Sequence, residues 1–203
     1  MMTLASTLGA LDLPPAHAET LHHFISLFDK WNRSINLSAA RSPDEISGHV
    51  IDSLHVIPYL CNEASSAAAS STATRVLDVG AGGGLPAVVA AICLPDAHIV
   101  ALEPVHKKHA FLRTAARELS LTNLEPLAKR VGDHPHHDYT AATSRATFDL
   151  RAWLLLGLTL VRPGGLVLGF EAVPRADLPP DTARHPYVLD DKSRAIVTLR
   201  RRT

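Results

Sequence analysis

The sequence predicts an α/β fold with one core: a mostly parallel sheet, an antiparallel hairpin at its C-terminal end, and helices on both faces. Three observations predict this class. From residue 75 onward, apolar stretches of strand length alternate with stretches of helical period. A glycine-rich loop joins the first of these strands to a helix. The last two strand-like stretches follow each other without a helix between them, so we expect them to pair as a hairpin.

The composition argues against several classes of protein. The 203 residues suffice for one well-buried core, and no apolar run approaches the length of a membrane span. Residues 1–15 lack the basic start of a signal peptide, so we expect a cytoplasmic protein that does not contact a membrane. The formal net charge of +0 argues against a protein that coats nucleic acid through bulk charge. A polyanion would be held by local basic side chains, namely Lys107, Lys108, Arg113, Arg117, Lys129, Arg130 and Arg200–Arg202.

Residues 1–62 are predicted to form a helical lead-in that packs on the core. An amphipathic helix is expected from about Ala18 to Asn32, and the polar stretch 33–38 is expected to end it. Residues 42–45 resemble a capping box with proline at the first helical position, and the helix that they open is expected to end near Pro58. The apolar face of the first helix consists of Leu21, Phe24, Ile25, Phe28 and Trp31.

Residues 63–74 are predicted to be a linker between the lead-in and a core at 75–203. Residues 64–74 are only alanine, serine and threonine, and such a segment buries little side-chain surface. Its alanines could instead extend the preceding helix, because alanine has the highest helix propensity.

The candidate site is predicted around the first strand of the core. This strand ends at Val79 and carries one acid, Asp78. A dinucleotide-binding loop would need glycine at position 85, where the chain has Leu85. The pattern instead resembles motif I of the class I S-adenosyl-L-methionine methyltransferases, with Asp78 in position for the cationic methionine end of that cofactor. The loop glycines are Gly80, Gly82 and Gly84, and a helix is expected over Leu85–Ile92 with Pro86 in its first turn.

A second acid, Glu103, ends the next strand, His98–Leu102. It lies 19 residues past Gly84, and an acid at about this distance hydrogen-bonds ribose hydroxyls in nucleotide sites. A helix is expected from Pro104. The later elements are expected to be an edge strand at Leu124–Ala128, a strand at Thr140–Ser144, a helix at Trp153–Leu160, a strand at Leu166–Phe170, and a hairpin of Tyr187–Leu189 with Ile196–Leu199.

No metal site is expected. The loop from Asp133 to Asp138 contains three histidines, but adjacent His136 and His137 point in different directions, and metal ligands must converge. Cys61 and Cys93 have the spacing of neither a zinc site nor a disulfide framework, so we expect them to be small buried side chains.

Six short segments carry a more specific pattern than the glycine loop alone. They are Lys30-Trp31-Asn32, Asn36-Leu37-Ser38, Arg41–Glu45, His49–Ser53, Asp78–Pro86 and Ser144-Arg145-Ala146. Together they resemble the glucose-inhibited division protein B family. The resemblance implies a class I methyltransferase with a Rossmann-like fold that uses S-adenosyl-L-methionine to methylate guanine N7 in 16S ribosomal RNA of the small ribosomal subunit.

The resemblance also implies roles for individual residues. Arg41, His49, Asp52 and Ser53 are implied on the substrate side, with Arg130 at the pocket rim. Helix capping and polar packing between helices would account for the substrate-side residues equally well. Asn36 and Phe170 are candidates for positioning the base. The implied cofactor contacts are Gly80, Gly82, Leu85, the backbone of Val131 and Gly132, and Arg145, with Asp78 near the methionine end and Glu103 on the ribose.

The chain departs from the family pattern at one position on the cofactor side and at one on the substrate side, and the second departure leaves the substrate open. The chain has Gly132 after the Arg-Val pair, where the family has acids. It has Glu171-Ala172 after the fifth strand, where the family has Lys-Gly. A small-molecule methyltransferase and a non-catalytic cofactor-binding protein of ribosome assembly therefore remain as alternatives, whereas the glycine spacing disfavours an NAD-linked oxidoreductase. We expect a monomer.

Overall fold

The computed structural model describes residues 3–69 and 73–203. Within them, seven strands form one sheet, around which seven α-helices pack. The strands are β1 (Arg75–Val79), β2 (His98–Leu102), β3 (Leu124–Leu127), β4 (Tyr139–Ser144), β5 (Val161–Glu171), β6 (Ala183–Leu189) and β7 (Lys192–Arg200). The helices are α1 (Leu4–Ala10), α2 (His17–Ile35), α3 (Pro43–Leu54), α4 (Ile57–Ala69), α5 (Ala87–Cys93), α6 (His106–Glu118) and α7 (Leu150–Leu160), with a 3-10 turn at Val131–Asp133.

The strand order across the sheet is β3-β2-β1-β4-β5-β7-β6. Strands β1 to β5 are parallel, whereas β7 runs antiparallel to both β5 and β6. This confirms the predicted parallel sheet, the presence of a C-terminal hairpin and the edge position of β3. The predicted pairing within the hairpin was wrong, because residues 187–189 pair with 192–194, next to the turn, and residues 196–198 pair with 183–185. The chain builds outward from β1 to β3 and then returns to the centre at β4. A ligand crevice is expected where the order reverses, at the carboxyl ends of β1 and β4.

Both faces of the sheet are covered by helices. Val76 and Ile99 point to one face and join a core formed with helices α1 to α6, while Leu77 and Val79 point to the other face, against α7. This alternation, with both sides apolar, is expected of strands buried between two helical layers. On the first face, an aromatic cluster ties α2 to α6. Its rings belong to Phe24, Phe28, Trp31 and Phe111.

The lead-in helices differ from their predicted boundaries. Helix α2 continues to Ile35 rather than stopping at Asn32, because Arg33 pairs with Asp29 at 2.6 Å and Ile35 packs against the core. Helix α3 ends at Leu54 rather than near Pro58. The proline instead lies in the first turn of α4, where its missing N–H costs nothing.

The predicted linker is helical over residues 63–69. Helix α4 continues to Ala69 because alanine favours helix and because this part of α4 has buried anchors. Ala67 is fully buried, and Glu63 accepts a hydrogen bond of 2.6 Å from Arg200. Residues 70–72 of the predicted linker lie outside the described residues. Helix α1 was not predicted; Thr3 caps it, and two of its leucines are buried.

Helices α5 and α6 begin later than predicted, at Ala87 and His106. Each start is held by an acid from the preceding strand. Asp78 Oδ2 accepts a hydrogen bond from the N–H of Ala87 at 3.1 Å, and Glu103 Oε1 accepts one from Val105 at 2.8 Å. Contacts with the sheet therefore fix both starts. In the described part of the chain, no helix is both long and apolar enough to cross a bilayer.

Candidate cofactor and substrate site

A cavity of about 600 Å³ opens at the carboxyl ends of the central strands, where the strand order reverses. Its volume lies in the range of small-molecule and cofactor sites. The cavity is lined by Phe28, Leu37, Ser38, Ala39, His49, Asp52, Gly80, Ala81, Gly82, Gly83, Leu85, Lys108, Arg145, Ala146, Thr147, Phe170, Glu171, Ala172, Tyr187 and Arg194.

The glycine loop forms one wall of this cavity. Gly80 and Gly82 have φ angles of 73° and 55°, a region that side-chain-bearing residues rarely adopt. A Cβ atom on Gly80 would lie 2.5 Å from Cγ2 of Thr147, whose hydroxyl donates a hydrogen bond to the Gly80 carbonyl at 3.2 Å. Backbone angle and close packing therefore both require glycine at position 80.

Asp78 lies behind the loop rather than in the cavity lining. Its carboxylate is only 1% exposed, and Oδ1 has no hydrogen-bond partner among the described residues. Burial raises the pKa of Asp78 to about 7, although the hydrogen bond from Ala87 and the charge of Arg145 oppose the rise. A buried acceptor without a partner is costly. Because Asp78 lies behind the loop, its contact with the methionine end of a cofactor stays a prediction.

Glu103 ties the glycine loop to the second strand. One carboxylate oxygen accepts a hydrogen bond from the N–H of Gly82 at 2.8 Å, and the other accepts the bond from Val105. Glu103 is buried and is not part of the cavity lining. It holds the loop in place here, and its contact with a ribose stays a prediction.

Asp52 is the centre of a polar cluster on the opposite wall. It is 4% exposed and accepts hydrogen bonds from Arg145 at 3.1 Å and from the Tyr187 hydroxyl at 2.7 Å. Arg194 Nη1 lies 3.5 Å from Asp52, and the ring of His55 stacks on Tyr187 with 3.9 Å between centroids. The cluster joins α3, the end of β4 and the C-terminal hairpin.

Sequence reasoning missed Tyr187 and Arg194 as site residues. The two are paired across the β6–β7 hairpin, which brings both to the cavity. The pairing register and the approach of α3 are needed to find them, and neither can be read from local sequence.

His49 lies on the same wall. Burial, and then the charge of Arg145, lower its pKa below the ordinary value of 6.5. The imidazole is therefore neutral at pH 7, when it can donate one hydrogen bond and accept another.

The end of β5 contributes Phe170 and Glu171. The Phe170 ring lies 6.0 Å from the guanidinium carbon of Arg145. Glu171 is buried and accepts hydrogen bonds from the Arg184 side chain at 2.9 and 3.1 Å. An arginine therefore compensates the acid that stands where the family pattern has lysine.

The structure brings seven of the predicted site residues into the cavity lining and leaves eight outside it. The seven are Gly80, Gly82, Leu85, His49, Asp52, Arg145 and Phe170. Those outside are Asn36, Arg41, Ser53, Asp78, Glu103, Arg130, Val131 and Gly132, and their contacts with ligands stay predictions.

Three of the outlying residues have visible structural roles. Asn36 is exposed and ends α2 in the left-handed conformation, with φ 53°. The Arg41 backbone N–H donates to the Glu45 carboxylate at the start of α3. The Ser53 hydroxyl donates to the His49 carbonyl within α3.

Asn32 positions the loop that carries three cavity residues, Leu37 to Ala39. Its buried side chain donates to the Ala40 carbonyl at 2.6 Å and accepts from the Ser38 N–H at 2.9 Å. Asn32 follows Phe28 by four residues on the apolar face of α2, and this amide in an apolar stripe was the available sequence signal.

We expect Asn32→Ala to lower the free energy of unfolding by about 2 kcal/mol, because it leaves two buried backbone groups without partners. Loosening of the loop should also weaken ligand binding. Urea denaturation and cofactor titration measure the two effects. Asn36→Gly, at the exposed left-handed position of the same loop, should change stability by less than about 0.5 kcal/mol. An equal loss of stability in Asn32→Ala and Asn36→Gly would contradict this role for Asn32.

The histidine-rich loop lies outside the cavity lining. His134 is buried, with its ring nitrogen 2.6 Å from the Tyr139 hydroxyl, so its visible role is packing. Among residues 3–69 and 73–203, no three His, Cys, Asp or Glu side chains form a group that could hold a metal ion.

Comparison with known proteins identifies the family. A family model described as GidB, rRNA small subunit methyltransferase G, matches residues 17–178. The ribosomal RNA small subunit methyltransferase G of Cupriavidus metallidurans is 39% identical over 175 residues, which cover 83% of this chain and 73% of that protein. The chain belongs to the GidB family. The resemblance seen in the six sequence segments is thus confirmed.

Solved structures show that this chain has the class I methyltransferase fold. Cofactor-bound Rv0187 from MTB superposes with a TM-score of 0.62 at 15% identity, covering 91% of each chain. Magnesium protoporphyrin IX methyltransferase from Synechocystis PCC 6803, with bound SAM, gives a TM-score of 0.59 at 13% identity, covering 88% of this chain and 97% of that one. At these identities the likeness concerns the fold, and it confirms the predicted fold class.

Proposed function

We propose that this protein is an S-adenosyl-L-methionine-dependent methyltransferase that methylates guanine N7 in 16S ribosomal RNA. The observation that carries the proposal is the family match over residues 17–178, which includes all the cavity-lining residues except Tyr187 and Arg194. The relative from Cupriavidus metallidurans is named as a small-subunit ribosomal RNA methyltransferase. A ribosomal substrate makes the cytoplasm the compartment of action, and we propose the monomer as the acting form.

The glycine-loop wall suits this cofactor. The loop backbone at Gly80 and Gly82 lines the cavity, and the negative charge of Asp78 behind the loop would favour the cationic methionine end. When bound, the cofactor supplies a methyl group activated by its sulfonium. Gly80, Gly82, Leu85 and Arg145 would line its binding site, Glu103 would face the ribose, and the backbone of Val131 and Gly132 would contact the adenine.

The opposite wall suits an RNA base. Guanine N7 carries a lone pair in the ring plane and no proton, so methylation there requires alignment rather than a general base. Phe170 offers an aromatic face, neutral His49 offers both a donor and an acceptor, and Arg145 lines the same cavity. Asn36, Arg41, Ser53 and Arg130 would act from the rim or through the surrounding packing. A base exposed in an RNA loop can be recognised on its edges by such groups.

The glutamate at the end of β5 does not favour a small-molecule substrate. Its charge is compensated by Arg184 through two hydrogen bonds. The cavity as a whole is therefore lined by Arg145, Arg194 and Lys108, without a free acid at Glu171.

Methyl transfer from labelled S-adenosylmethionine to small ribosomal subunits tests the function. Subunits from a strain that lacks the gene should accept about one methyl group each, and mass mapping should locate it on a guanine. Large subunits and previously methylated small subunits are the controls. Cofactor binding without transfer would indicate a non-catalytic assembly protein, and transfer to metabolites alone would indicate a small-molecule enzyme.

A further inference from the structure

Arg194 is an arginine in the cavity wall whose hydrogen-bonding capacity is largely unused. Its side chain is 30% exposed and approaches Asp52 at 3.5 Å, too far for a good hydrogen bond. Within the described ranges, 3–69 and 73–203, it donates no side-chain hydrogen bond, and its buried Nε has no partner. A guanidinium has five N–H donors, so this group can still bind an acceptor.

Asp52 does not need Arg194 for its own hydrogen bonding. Arg145 donates to one carboxylate oxygen and Tyr187 donates to the other. Arg184, on the neighbouring strand, provides a contrast, because it donates two hydrogen bonds to Glu171. Arg194 is therefore held near the cavity by the attraction of Asp52, while the terminal nitrogens of its partly exposed guanidinium donate no hydrogen bond within the described residues.

The surroundings of Arg194 leave room for an anion. A side cavity of about 180 Å³ lies between the end of β5 and the hairpin, and Arg194 and Glu171 line both this space and the main cavity. Arg184 and Ser193 also line the side cavity. Since Arg184 offsets the charge of Glu171, Arg194 contributes the remaining positive charge there.

We propose that Arg194 binds a phosphate of the RNA strand next to the target guanine and thereby positions the base. The inference rests on the proposed function and adds a contact with the substrate backbone. A guanidinium matches phosphate oxygens with two parallel N–H donors, and such contacts set the register of a nucleic acid. The cofactor lies against the glycine loop in the proposed function, so its affinity should not depend on Arg194.

Binding of 16S RNA and small subunits at several salt concentrations tests this contact independently of turnover. Arg194→Gln should weaken binding about tenfold and reduce the slope of log affinity against log salt by about 0.7, as for one lost phosphate contact. Arg194→Lys should keep the slope but lose part of the affinity, because lysine retains the charge without the paired donors. Cofactor affinity and thermal unfolding should match the wild type in both.

Arg33→Gln is the matched control for charge, since Arg33 is 75% exposed and pairs only with Asp29 within the described residues. It should leave the salt slope unchanged. The proposal would be overturned if Arg194→Gln kept the wild-type slope of log affinity against log salt. It would also be overturned if Arg194→Gln and Arg33→Gln lost the same amount of RNA affinity. Failure of wild-type protein to methylate any subunit would instead count against the proposed function, because the binding slopes are measured without methyl transfer.

Discussion

Replacing Gly80 with alanine is expected to weaken S-adenosylmethionine binding about a hundredfold and to lower the free energy of unfolding by about 2 kcal/mol. The backbone at Gly80 has φ 73°, and the added Cβ would overlap the Thr147 side chain. This overlap is relieved only if the loop moves. That movement would disturb the neighbouring Gly82 N–H, whose hydrogen bond to Glu103 holds the cavity wall.

Gly9→Ala is the matched control for this substitution. Gly9 lies in α1, and a Cβ there would meet nothing within 4 Å. The control should bind cofactor normally and be as stable as the wild type or slightly more so, because alanine favours helix. Isothermal titration and urea denaturation measure both variants. If Gly80→Ala bound S-adenosylmethionine with wild-type affinity, the loop could shift without cost. The glycine loop would then not be part of the proposed cofactor site.

The affinity for S-adenosylmethionine is expected to rise roughly fivefold to tenfold between pH 6 and pH 7.5. Burial raises the pKa of Asp78 to about 7, so the free protein holds this carboxyl largely protonated at pH 6. A cationic ligand group favours the ionised form, and binding at low pH must therefore release a proton. Titration in two buffers of different ionisation enthalpy measures that proton.

Two variants distinguish the effect of Asp78 on the pH dependence of cofactor affinity from the effect of His49, which also titrates near the cavity. His49 has a pKa below 6.5 and also lines the cavity, so its loss of charge could favour a cation as well. His49→Asn should keep the rise in affinity with pH, whereas Asp78→Asn should bind weakly with a flat profile. A flat wild-type profile would mean that Asp78 does not contact the cation.

The raised pKa of Asp78 also predicts how the free energy of unfolding depends on pH. The pKa of Asp78 is raised from 3.8 in the unfolded chain to about 7 in the folded protein, so the folded state retains its proton longer. Its contribution to stability is fully present below pH 3.8 and is lost as the pH rises to about 7. Asp78→Asn should remove that decline from urea denaturation curves measured across this range.

Local sequence identified the elements whose pattern is complete within a few residues. The apolar strand, alternating glycines and following helix at 75–93 predicted the centre of the fold, and Pro126 indicated an edge strand. The predicted positions of helix ends were less accurate, because a proline such as Pro58 can either end one helix or begin the next. Asn36 has a similar ambiguity, since asparagine is suited both to recognising a ligand and to adopting the left-handed conformation that ends a helix.

The strand–loop–helix unit, the parallel sheet with a hairpin and the family resemblance could all be predicted from local sequence. The contacts between side chains could not, because they form between residues far apart in the chain: Asp52 bonds to Arg145 and Tyr187, which lie 93 and 135 residues further along. Periodicity and backbone preference act between residues a few positions apart, whereas side-chain partners depend on strand order and register, which the burial of the whole core selects.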